Sequence, residues 1–114
     1  MRLTYYFEKS QDLVSMNTYD SVVSIQSGDD LVASGQVPAP SVIKIDVEGF
    51  ELEVIKGLRH LLVSQELRLI GVEIHFEQLV KQNSPSAPRQ IIDILLASRF
   101  QIKFLDPSHV IAKK

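Results

Sequence analysis

One stretch limits the folds open to this chain: Ile43-Lys44-Ile45-Asp46-Val47-Glu48-Gly49-Phe50-Glu51. Val42, Ile43, Ile45 and Val47 make a nearly continuous apolar run, as expected for a parallel strand covered on both faces. The run stops at acidic residues and a glycine. Gly49 permits a sharp bend, and Phe50 to Val63 then reads as a helix, with Leu52, Ile55, Leu58 and Leu62 at helical spacing. In an open α/β sheet, ligands sit where strands end and helices begin. Asp46 and Glu48 occupy such a corner, and Lys44 and Asp46 share one strand face by the period of two.

The pattern repeats downstream. Leu67 to Phe76 reads as a second strand, with Leu69, Ile70, Val72 and Ile74 as its apolar content and Gly71, Glu73 and His75 on the other face. Strand, helix and strand in this order make a right-handed parallel crossover. Glu73 and His75 therefore arrive at the same sheet edge as Asp46 and Glu48. Val80 to Ala87 is polar and reads as a loop. Pro88 suits a first helical turn with Ser86 as its cap, and Ile91, Ile92, Leu95 and Leu96 supply the buried face of a helix to about Ser98. Phe100 to Leu105 alternates as a strand, Asp106-Pro107-Ser108 is turn chemistry, and His109 to Ala112 returns antiparallel. The fold class is α/β: strand, helix, strand, helix and a terminal antiparallel hairpin.

Residues 1–40 carry weaker patterns and are expected to form a separate N-terminal segment ahead of the domain at 41–114. Leu3 to Phe7 and Ser21 to Ile25 suit short strands. Ser27-Gly28 signals a turn, Asp29 or Asp30 can cap a short helix through Ser34, and Gly35 stops it. Val37-Pro38-Ala39-Pro40 is an extended connector. Composition narrows the function. With no cysteine, disulfides, thiolate metal sites and thiol catalysis are excluded. A net charge of −2 with no basic run beyond Lys113-Lys114 argues against nucleic acid as the main partner. No apolar run approaches the ~20 residues of a membrane span, and no signal-peptide core opens the chain. The expectation is a soluble, cytoplasmic protein with no membrane partner.

The run from Ile43 through Glu51 to Gly57, with Gly28-Asp29-Asp30-Leu31-Val32 before it and Gly71-Val72-Glu73-Ile74-His75 after it, resembles the signature of FkbM-type methyltransferases. The resemblance covers roughly Val23 to the C-terminus. It implies an S-adenosylmethionine-dependent enzyme with the class I, Rossmann-like fold, whose seven-stranded sheet has an antiparallel strand near one end. The strands ending at Asp46 and His75 would match the fourth and fifth strands of that sheet, and the hairpin the sixth and seventh. The implied activity is O-methyl transfer to a hydroxyl of a sugar or natural product. The family's glycine-rich cofactor loop has no counterpart, because no two of the five glycines are close enough for G-x-G. The chain thus resembles a C-terminal half, expected to bind S-adenosylmethionine weakly or not at all by itself.

On this reading Asp46, Glu48, Glu73 and His75 are the candidate catalytic residues. A carboxylate at the corner can orient an acceptor hydroxyl or act as general base. His75 can exchange a proton near neutrality. The competing reading of Asp46 and Glu48 is that they bond the free amides of the following helix. Glu51 and Glu53 are expected to serve the helix dipole, His60 to lie at a helix end and His109 in the hairpin. Hard cations accept such carboxylate sets, but the spacing is no ligand signature and no metal is expected. Two other functions stay open. One is a non-enzymatic module that dimerises, or complements an N-terminal half in trans, through an open sheet edge at the strand ending in Asp46, unless residues 1–27 fold back to cover that edge. The other is a metal-dependent hydrolase using the same corner.

Overall fold

The computed structural model describes residues 4–8, as strand backbone, and residues 26–114. Among the described residues, five strands form one sheet: β1 (Thr4–Glu8), β2 (Val42–Asp46), β3 (Leu69–Glu73), β4 (Gln101–Phe104) and β5 (His109–Lys113). Their spatial order is β1-β2-β3-β5-β4. The pairs β1–β2 and β2–β3 are parallel, whereas β5 runs antiparallel to both β3 and β4. The helices are α1 (Gly28–Ala33), α2 (Glu51–Lys56), α3 (Arg59–Leu62), α4 (Phe76–Lys81) and α5 (Ala87–Ala97). None of the helices among the described residues is long and apolar enough to cross a membrane.

The core sits on one face of the sheet. Ile43 and Ile45 on β2, Ile70 and Val72 on β3, and Val110 and Ala112 on β5 are buried there. Register sets Ile70 opposite Ala112 and Val72 opposite Val110, so these side chains meet across the strands. Leu52 and Ile55 from α2 and Ile91 and Leu95 from α5 complete this layer, and α2 packs against α5. Alternate residues on the other face, Val42, Lys44, Leu69 and Gly71, are only half-buried. The expectation of a strand covered on both faces is therefore corrected: burial alternates along β2 and β3.

Other elements depart from the sequence reading for identifiable reasons. The helix expected over 50–63 is two helices broken at Gly57. A Cβ at Gly57 would lie 2.9 Å from the Cβ of Ser27, so the close neighbour is the entry to α1 and not a strand. The Gly57 carbonyl accepts from the Asp29 amide at 3.0 Å. The Asp29 carboxylate then accepts from the amides of His60 at 2.8 Å and Leu61 at 3.0 Å. Asp29 thus caps α3 from a distant part of the chain, and Arg59 and His60 begin a helix instead of ending one. Ser27 caps α1 by accepting from the Asp30 amide at 3.1 Å, a role assigned above to Asp29 or Asp30.

β3 ends at Glu73, short of the expected Phe76, and residues 76–81 form α4 where a strand end and a loop were expected. One buried residue, Leu79, anchors α4, with Glu77 in its first turn and Lys81 in its last, the arrangement the helix dipole favours. In α5, Ile91 and Leu95 are buried, but Leu96 is half exposed. The hairpin turn is as expected: Asp106 Oδ1 accepts from the amides of Ser108 and His109 at 2.9 and 2.8 Å. The strand expected over Ser21–Ile25 lies outside the described residues. The outer edge of β2 is paired with β1, so of the two outcomes left open for that edge the covered one holds.

Candidate functional site

The half-buried face of the sheet brings its polar residues to one end. Asp46 ends β2, Glu73 ends β3 and His109 opens β5, with Glu73 directly opposite His109 in register. Two residues beyond Glu73, His75 occupies the position just before α4 without its side chain bonding the helix amides. The Ile74 amide donates to the Ser108 carbonyl at 2.7 Å, which ties the approach to His75 to the hairpin turn.

His75 is the hub. Its Nε2 lies 3.3 Å from Asp46 Oδ1 and 3.8 Å from Glu73 Oε1. On the far side of the ring, Nδ1 is hydrogen-bonded to Glu51 Oε1. Glu51 is wholly buried. Its Oε1 also accepts from the Gly49 amide at 3.2 Å, and its Oε2 has no hydrogen-bond partner among the described residues. Burial by itself would lower the pKa of His75. The hydrogen bond and charge of Glu51, with the charges of Glu73 and Asp46, outweigh that and hold it above the ordinary 6.5. The chain of groups continues outward. His109 Nε2 lies 3.8 Å from Glu73 Oε1, and His109 Nδ1 is 2.9 Å from Asp106. The hydrogen bond from His109, together with those from Ser108, lowers the Asp106 carboxyl to about 2.

The corner that carries this site depends on backbone geometry. Glu48 and Gly49 both have positive φ, 51° and 100°. The turn sends the chain from β2 into α2 and lets Gly49 pack under α4. A Cβ on Gly49 would lie 2.9 Å from the Gln78 Cβ. The turn also points Glu48 outward, where it is exposed. Of the four candidates read from sequence, the fold brings Asp46, Glu73 and His75 together, while Glu48 contributes no carboxylate to their cluster.

Glu51 joins the cluster instead, from the first turn of α2, where it and Glu53 also meet the expectation of negative charge at the helix start. The sequence held a signal for it: Glu51 lies four residues before Ile55, hence on the same helix face, and both are completely buried. One ligand atom each from Asp46, Glu73 and His75 lies within 4.8 Å of the others. These are the atoms from which a cation or an acceptor hydroxyl could be held.

The parallel strands, the corner at Asp46-Val47-Glu48-Gly49 and the polar cluster beside it agree with a family assignment. Residues 5–102 match the methyltransferase FkbM domain, and the chain belongs to that family. It is similar to the hexuronic acid methyltransferase AglP of Haloferax volcanii, with 57% identity over 49 residues, a stretch that covers 43% of this chain and 20% of the relative. The matched stretch is thus about a fifth of that protein's length. No solved structure matches the chain.

Proposed function

We propose that this chain forms the acceptor side of a class I, Rossmann-like methyltransferase domain that moves a methyl group from S-adenosylmethionine to a hydroxyl of a sugar. The strand order β1-β2-β3-β5-β4, with antiparallel β5 inserted beside the last strand, supports the fold. Membership of the FkbM family supports the donor, and the name of the Haloferax volcanii relative supports a sugar acid as acceptor. The glycine-rich cradle for the cofactor is supplied from outside this half, because the five glycines form no such loop. The acceptor and the missing half are the partners this reading requires.

The observation that carries the reading is the set of basic atoms on Asp46, Glu73 and His75 at the ends of adjacent strands. A carboxylate acceptor needs no base, whereas a hydroxyl must lose its proton. When the donor's methyl group passed from sulfur to the acceptor oxygen, the hydroxyl proton would go to a basic atom of Asp46, Glu73 or His75. The remaining work is alignment of donor and acceptor.

The test is transfer of labelled methyl from S-adenosylmethionine to hexuronic acid and neutral-sugar glycosides, with the cofactor half supplied. The expected product is an alkali-stable ether. Asp46→Asn and His75→Gln are expected to lower the rate by about 10²–10⁴, the range of acid–base assistance. An alkali-labile methyl ester, or variants within a few-fold of wild type, would overturn the assignment.

A further inference from the structure

Among the described residues, Glu51 is the only charged or polar side chain that is fully buried. Burying a carboxylate costs stability unless a partner repays it. The helix dipole does not account for the burial, because Glu53 meets it from the exposed side of the same turn. The partner of Glu51 is the ring of His75, through a hydrogen bond from Oε1 to Nδ1. Two observations say where the proton of that bond lies. Glu51 Oε1 already accepts from the Gly49 amide at 3.2 Å, so a proton on this carboxyl would sit on Oε2. A free carboxyl has a pKa of about 4 and an imidazole about 6.5, so the ring keeps the shared proton. Whichever charge Glu51 carries, Nδ1 donates and Oε1 accepts.

We infer that Glu51 is a positioning residue: it fixes His75 with Nδ1 protonated and the Nε2 lone pair turned toward Asp46 and Glu73, so that Nε2 takes the acceptor's proton. The inference rests on the hydroxyl reading above and names one base among the three. The hydrogen bond at one ring nitrogen decides which tautomer the other presents. The opposite tautomer would place a proton on Nε2 and leave nothing there to receive one. Asp46 and Glu73, as ordinary carboxylates, are weaker bases near neutrality than an imidazole. Their place is around the ring. Once Nε2 is protonated it faces Asp46 Oδ1 at 3.3 Å and Glu73 Oε1 at 3.8 Å. His109 on β5 lies beyond Glu73, 3.8 Å from it. Burial alone would weaken the base, but carboxylates from α2, β3 and β2 outweigh it and favour the imidazolium. The proton balance is simple. The acceptor's O–H bond breaks as its oxygen bonds the methyl carbon, sulfur keeps the electrons of the S–C bond, and the proton bonds Nε2. The turn that follows Asp46 also supplies the Gly49 amide that holds Glu51, so one corner aims both the carboxylate and the ring.

The test is nitrogen NMR of the histidine rings in the full 114-residue chain across a pH titration, and it needs neither donor nor acceptor. Neutral His75 is expected as the Nδ1–H tautomer. Glu51→Gln keeps the shape and removes the charge; it should lower the pKa of His75 and leave the exposed His60 unmoved. With the cofactor half supplied, methyl transfer should rise with pH through the pKa of His75. Glu51→Gln should move that rise to lower pH and cut kcat about 10-fold or more, part of the 10²–10⁴ of acid–base assistance, with KM unchanged. A Glu51 that only supports the fold would move neither the tautomer nor the pH profile. Should Glu51→Gln not fold, the wild-type tautomer decides by itself. Neutral His75 protonated on Nε2, or an even mixture of tautomers, would overturn the inference, as would an unmoved His75 pKa in Glu51→Gln. The Nδ1–H tautomer without transfer to any hydroxyl would sink the hydroxyl reading, and with it the role of Nε2 as base, while the aiming of the ring by Glu51 stands.

Discussion

Replacing Gly49 with alanine tests whether the corner between β2 and α2 is held by backbone conformation and by α4. Gly49 has φ of 100°, and an L-residue at positive φ costs about 1–2 kcal/mol. The new methyl group would also lie 2.8 Å from Gln82 Nε2 and 2.9 Å from Gln78 Cβ. The Gln82 amide ends an exposed, flexible side chain and can swing away. Gln78 Cβ is fixed to α4, so relief requires α4 to shift, at a cost of about 1–3 kcal/mol typical of overpacking. The expected loss is therefore about 3 kcal/mol, or a fall in Tm of roughly 12–24 °C for a domain of this size. Urea and thermal unfolding would measure it, with Gly71→Ala as control. A Cβ at Gly71 meets Lys44 and Ile111 at 3.5 and 3.7 Å, ordinary contacts, and such a substitution is neutral or stabilising by up to about 1 kcal/mol. A Gly49→Ala protein within about 0.5 kcal/mol of wild type, the usual scatter of inconsequential surface changes, would refute the reasoning. So would a Gly71→Ala protein that is equally destabilised.

Two further predictions concern the groups around this corner. Asp29→Ala removes both carboxylate acceptors from the His60 and Leu61 amides; the expected loss is about 1–2 kcal/mol by urea unfolding, the upper range for a lost cap, and an unchanged midpoint would show that water replaces the cap. His75 has a folded-state pKa raised above 6.5, so its stabilising effect is complete below pH 6.5 and is lost as pH rises through the folded value. In chelator-treated protein the urea midpoint should decline above pH 6.5, and His75→Gln should flatten that slope; a wild-type contribution from this histidine that grows with pH would contradict the assignment.

The sequence reading succeeded where local pattern and tertiary structure ask for the same thing. The apolar runs at β2 and β3 mark them as strands, though not the alternation of their burial, Asp106-Pro107-Ser108 has its own hydrogen-bonding chemistry, and α5 carries Pro88 at its start. It failed where a distant residue decides. The break at Gly57 depends on Ser27, some thirty residues earlier, and α3 is capped by Asp29 from the same region. α4 has a single buried residue, Leu79, too few to make a period visible. The candidate site was legible as a location, because strand ends define it. Its membership was not: Glu48 and Glu51 flank the same glycine, and only the positive φ at residues 48 and 49 turns one outward and the other into the core.

The place of β5 between β3 and β4 has a consequence for how the chain is made. β4 pairs with β5 and not with β3, so residues 101–104 cannot join the sheet until residues 109–113 have left the ribosome. Up to that moment the Leu69–Glu73 strand offers an unpaired, largely apolar edge, the kind of surface on which nascent chains stick to one another. Pairing β3 with β5 also spans some forty residues of intervening chain, a closure that slows folding. Yield in the cell should therefore respond to chaperone supply and translation speed more than to the stability of the finished domain.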